Sequence, residues 1–122
     1  MARVWDFEKA MEMLPHLALC AKERRTTTYG ELAALIGVFP LYMTKPLDTL
    51  RDRILIQHQQ PRIDALVVNQ ETREVGDSFY AEGFGAMTIE DRRALLDFER
   101  EKVFTYENWE KVIQNLRRHY GV

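Results

Sequence analysis

A chain of 122 residues and 14.4 kDa has room for one domain and none for a catalytic module beside a binding module. An apolar share of 46% with 30% charged residues is the balance of a folded globular chain, which excludes intrinsic disorder, collagen-like repeats and low-complexity assembly. The formal charge is −2, with ten basic and ten acidic residues in 1–76 and seven and nine in 77–122, so no bulk positive field recruits polyanions and any nucleic-acid contact must rest on a local patch.

Residues 6–23 carry Phe7, Ala10, Met11, Leu14, Ala18 and Ala21 at three- and four-residue steps, which predicts a helix with one buried stripe. Pro15 deletes a backbone donor inside it and is expected to bend or split it near residues 11–15. Cys20 is the only cysteine, so neither an intramolecular disulfide nor a thiolate zinc cluster can form. With no signal-peptide core and no apolar run long enough for a bilayer, the chain reads as soluble, cytoplasmic and free of the membrane.

The Thr26-Thr27-Thr28 triplet is extended, and Thr28-Tyr29-Gly30-Glu31 has the form of a capping box that opens a second helix, with Leu32, Leu35 and Ile36 inward and Gly37 as its stop. After a tight turn, Thr44 is expected to cap a third helix that tolerates Pro46 in its first turn and buries Leu47, Leu50, Ile54 and Leu55. Ile63 to Val68 has strand composition. With the polar turn 69–73 and a return at Val75-Gly76 and Phe79-Tyr80, it predicts a β-hairpin, followed by a glycine-containing loop at 81–86. Thr88 opens a helix through Leu95, Leu96, Phe98 and Val103. Thr105 is expected to cap a last helix carrying Trp109, Val112, Ile113, Leu116 and Tyr120 up to Gly121.

Two short helices, a tight turn and then a hairpin form a winged helix-turn-helix layout, in which the second helix of the pair can enter a DNA groove. Tyr29-Gly30-Glu31-Leu32-Ala33-Ala34-Leu35-Ile36-Gly37 resembles the first helix of that pair in the DNA-binding domain of the O6-alkylguanine-DNA alkyltransferases and alkyltransferase-like proteins. Val67-Val68 with Val75-Gly76 and Phe79 resembles that family's wing, and Ala94-Leu95-Leu96-Asp97-Phe98-Glu99 its closing helix. The likeness spans residues 26–101 of a single domain covering 1–122, with flanking helices in 1–25 and 102–122. It implies a mainly helical α+β fold, a winged helix-turn-helix with a small hairpin.

The same comparison implies that alkyl transfer has been lost. Where the family has Pro-Cys-His-Arg before the paired valines, this chain has Ile63-Asp64-Ala65-Leu66, and Cys20 lies outside the matched region. Met43-Thr44-Lys45 stands where the family inserts an arginine into the duplex, so only Lys45 is basic there. Tyr29 matches the family tyrosine that contacts the DNA backbone.

On a helical wheel, Lys45, Asp48, Thr49, Asp52, Arg53 and Ile56 fall outside or at the flanks of the third helix. The DNA-contact candidates are therefore Tyr29, Lys45, Thr49 and Arg53, with Arg62 and Arg73 on the wing and Arg51 as a further cation. Tyr29 has a second reading, as a staple of the helix start to the core. His16, His58 and His119 lie on three different elements without the close spacing of zinc ligands, and Gly83 and Gly85 lack the residues that complete a phosphate loop. Asp64 and Glu71 with Arg73 only weakly match a metal nuclease, whose usual lysine is absent. Phe98, Phe104, Tyr106, Trp109 and Tyr120 are expected mostly in the core. The sequence thus points to a non-enzymatic protein without metal or cofactor that binds double-stranded DNA. The alternative is an interaction module of immunity or antitoxin type whose acidic surface meets a basic, nuclease-like partner.

Overall fold

The computed structural model describes residues 4–76, 79–80 and 87–121. Among the described residues five helices carry the fold: α1 Val4–Lys22, α2 Tyr29–Ile36, α3 Thr44–Thr49, α4 Ile89–Thr105 and α5 Trp109–Tyr120. Single 3₁₀ turns lie at Pro40–Tyr42 and Ile63–Leu66, and α3 runs on through Leu50–Ile56 in the wider π-helical form. Two short strands, β1 Thr27–Thr28 and β2 Val67–Val68, pair in parallel with Thr27 opposite Val67 and Thr28 opposite Val68. The protein is thus mainly helical with a small two-stranded parallel sheet. Among the described residues, no helix is long and apolar enough to cross a membrane.

The helix ends follow local chemistry. Thr28 caps α2 by accepting from the Glu31 amide at 3.1 Å. The Glu31 carboxylate does not return to the Thr28 backbone but takes the Thr27 hydroxyl, also at 3.1 Å. Gly37 ends α2 at φ 69°, where a left-handed residue lets the next amides fold back: Gly37 N–H reaches Ala34 and Val38 N–H reaches Ala33. Thr88 caps α4 through the Asp91 amide, and Gly121 closes α5 at φ 71°.

α1 is the hub of the core. It packs on α2, α3, α5 and the 3₁₀ turn Ile63–Leu66, and Met13, Leu14 and Leu17 on it are fully buried. Each such side chain withdrawn from water contributes about 1.5–3 kcal/mol before entropy is counted. Pro15 does not split the helix: α1 is continuous, and the proline lies on its exposed side.

Several expectations are corrected. Ile63–Leu66 is a 3₁₀ turn rather than strand, and β2 joins Thr27–Thr28 in parallel instead of forming an antiparallel hairpin with Val75-Gly76 and Phe79-Tyr80. The physical reason is enclosure: Ile63 to Val68 is buried without a break, and β1 is the neighbour that offers backbone groups. The turn itself exists, since Asn69 N–H donates to the Glu74 carbonyl and Arg73 N–H to the Asn69 carbonyl, both at 2.8 Å. Thr44 lies inside α3, where Met43 is the cap residue and no side chain caps it. Thr105 ends α4 with its hydroxyl donating back to the Glu101 carbonyl, and Asn108 precedes α5. Of the inward face expected for α4, only Val103 is buried; Phe98 is 63% exposed. The loop expected at 81–86, with Gly83 and Gly85, lies outside the described residues.

Candidate functional site

The 40–42 turn packs against both α2 and α3, and a hydrogen bond ties the 69–76 loop to the start of α2. The Tyr29 hydroxyl, at the start of α2, accepts the Gly76 amide at 2.9 Å. Tyr29 is half-buried against the core, so the chain uses it as a clasp between helix start and loop.

The turn before α3 is unusually apolar for solvent-facing chain. Phe39 is 74% and Leu41 81% exposed, with Tyr42 close behind, and the Phe39 and Tyr42 rings meet edge to face at 6.4 Å. Lys45 is exposed on the first turn of α3 beside a shallow hollow formed with Leu41, Tyr42 and Thr44. At the far end of the same rod Arg53 is exposed, its guanidinium 5.5 Å from the Phe7 ring centre. Arg73 is exposed on the 69–76 loop in a left-handed conformation, φ 59°.

The remaining candidates are placed elsewhere. Thr49 is buried, so its hydroxyl is not on the outer face assigned to it; α3 turns that side, with Pro46 and Leu50, toward α1. Arg62 is committed internally: it grips Asp64 through two bonds of 2.9 and 2.8 Å, donates to the Phe79 carbonyl at 2.9 Å and stacks over the Phe79 ring at 4.4 Å. Arg51 is likewise neutralised, bidentate to Asp52 at 2.7 and 2.8 Å and 3.3 Å from Asp48. Those bonds hold Asp52 below the usual carboxylate range and Arg51 above its own, while burial pushes Asp48 up.

Tyr29, Leu47, Arg51, Asp64, Gly76 and Phe79 surround a crevice of only about 20 Å³. That is room for about one water and no substrate. Among the described residues no three His, Cys, Asp or Glu side chains converge in a metal-binding group.

Two groupings escaped sequence reasoning. His58 and His119 face each other with ring centres 5.3 Å apart and share Tyr120 as a neighbour, a meeting of α5 with the end of α3 that no short-range spacing encodes. Arg73, Arg92, Arg93 and Arg100 line one cleft between the 69–76 loop and α4. The only signal for the latter was three arginines within one helix amid many acids. Compared with protein families, curated proteins and solved structures, the chain matches none.

Proposed function

We propose that this chain is a non-enzymatic, winged-helix protein that binds double-stranded DNA and is related to the alkyltransferase-like domains. The observation that carries the reading is the Tyr29–Gly76 bond, which holds a polar loop carrying Arg73 beside a helix–turn–helix whose outer rod carries Lys45 and Arg53. Lys45, Arg53 and Arg73 supply the phosphate contacts, and Tyr29 organises the surface. The exposed Phe39, Leu41 and Tyr42 at the turn are the kind of apolar side chains that wedge between base steps. The missing nucleophile motif supports recognition without chemistry. A cytoplasmic location belongs to the same reading.

Fluorescence anisotropy with a labelled duplex tests the reading. Affinity falls as salt rises, and Lys45→Ala and Arg53→Ala each weaken binding and reduce the salt slope by about 1. No binding at low salt overturns it.

The same apolar tip favours a second reading, a protein-interaction module of immunity or antitoxin type. There Phe39, Leu41 and Tyr42 form the anchor and the acidic residues steer a basic partner. Phe39→Ser with Leu41→Ser then abolishes a one-to-one complex seen by size exclusion with light scattering, while duplex affinity is nil throughout.

A further inference from the structure

The cleft between the 69–76 loop and α4 lies apart from the proposed DNA surface on α2 and α3, sharing only Arg73 with it. Its volume is about 540 Å³, inside the range of about 300–1,000 Å³ that small-molecule sites occupy. Four arginines, Arg73, Arg92, Arg93 and Arg100, line it against two carboxylates, Glu74 and Asp97. Among the described residues of its lining the arginines exceed the carboxylates by two, and Val75 and Leu96 add apolar wall.

Arg100 is the most informative member. Its Nε donates to the Ala65 carbonyl at 3.0 Å, which fixes the guanidinium in one orientation. Its Nη2 is sealed from bulk water and has no hydrogen-bond partner among the described residues. Burial pulls the guanidinium below its ordinary pKa, with Asp97 and Tyr80 opposing that pull. Nη2 itself is closed to an oxygen in the cleft, so Arg100 offers a bound oxyanion the positive charge of its fixed guanidinium.

We infer that this cleft binds a small phosphate monoester of mononucleotide size. A phosphate monoester carries between one and a half and two negative charges near neutrality, roughly the excess that the arginines leave, and its oxygens suit the planar fork of arginine. Glu74 and Asp97 accept hydrogen bonds from the hydroxyl or amino groups of the esterified body. The same two carboxylates repel a continuous phosphodiester backbone, which separates this site from the duplex surface.

The test is a nuclear magnetic resonance titration of the full chain, following backbone amides and the arginine Nε–Hε signals, with adenosine 5′-monophosphate, inorganic phosphate and adenosine as probes. Adenosine 5′-monophosphate is expected to shift the Arg100 side-chain signal and the amides of 72–75 and 92–100. Inorganic phosphate acts on the same signals with about tenfold weaker affinity, and Arg93→Gln, at an exposed position, lowers the nucleotide affinity about tenfold while the rest of the spectrum is unchanged. The inference is overturned by absence of any shift at about 5 mM nucleotide, by adenosine binding as well as its phosphate, by perturbations spread over the other basic residues, or by a folded Arg93→Gln protein that binds unchanged.

Discussion

Arg62 and Asp64, two residues apart, close a two-pronged ion pair in which the aspartate is almost wholly buried and the guanidinium also lies flat on Phe79. The pair joins two segments, the 3₁₀ turn Ile63–Leu66 and Phe79. Removing the cation alone strands a carboxylate in a water-poor crevice. Arg62→Met is therefore expected to lower unfolding stability by about 3 kcal/mol, and the double variant Arg62→Met with Asp64→Leu to recover much of the loss. Urea denaturation of both variants measures it; equal losses in the single and double variants would mean the pair is not the cause.

Tyr29 supplies the next prediction. Tyr29→Phe keeps the ring in the core and deletes the acceptor of the Gly76 amide. Stability should fall by about 1 kcal/mol, and hydrogen exchange at Gly76 should speed up far more than at Leu32 or Ala33 in α2. If Tyr29 works as a clasp, duplex affinity falls with the loop's loss of order even though the removed hydroxyl faces the protein. An unchanged Gly76 exchange rate contradicts the clasp.

The contrast between Tyr29 and Thr49 shows what the sequence can encode. Thr28, Gly37, Thr88 and Gly121 were legible because each acts on backbone groups within a few residues, through a hydroxyl that caps or a glycine that tolerates left-handed geometry. Thr49 was misplaced because a wheel ranks side chains by polarity, whereas a threonine is small enough to sit where α3 presses on α1. Beyond it the rod widens into π-helical turns, and the adjacent Ile54 and Leu55 are both buried there, as the apolar pattern of the third helix leads one to expect. Ile63 to Val68 announced burial, and strand was inferred from it; the partner of β2 lies forty residues upstream, a relation no local pattern holds. α1 is set apart in sequence from the elements that follow it, yet it runs through the centre of the core. The arginine cleft and the His58–His119 contact depend on such long-range packing, so they became visible only with the fold.

Asp48 and Asp52 flank Arg51 on one rod and should respond to pH in opposite senses. Burial raises Asp48, so the stability its neutral form contributes is complete below the unfolded carboxylate pKa and is lost as pH rises through the raised folded value. The hydrogen bond from Arg51 lowers Asp52, so its contribution is present above the unfolded pKa and is lost as pH falls through the lowered folded value. Relative to the parent protein, Asp48→Asn should thus gain stability, and Asp52→Asn lose it, as pH is raised from about 3 to about 6. Thermal melts at several pH values check this, and parallel trends for the two variants would refute it.

Tyr120 anchors the last helix to the end of α3. Its hydroxyl has one proton and two partners, the Arg53 carbonyl at 3.0 Å and His58 Nε2 at 2.8 Å. A carbonyl can only accept, so the tyrosine proton goes to Arg53, and His58 must carry its own proton on Nε2 and donate it to the tyrosine oxygen. Burial, partly offset by Arg53, holds the phenol above its usual pKa, which keeps that proton in place well beyond neutrality. Tyr120→Phe leaves the ring contact with Phe7, 5.3 Å between centres, but strips both bonds. The expected cost is about 1–2 kcal/mol, with faster exchange in α5 than in α2. The nitrogen chemical shifts of His58 read the tautomer directly. In the parent protein at neutral pH they should report a protonated Nε2, and a signal with the proton on Nδ1 alone would mean that the tyrosine proton goes to His58 and the bond to the Arg53 carbonyl is not made.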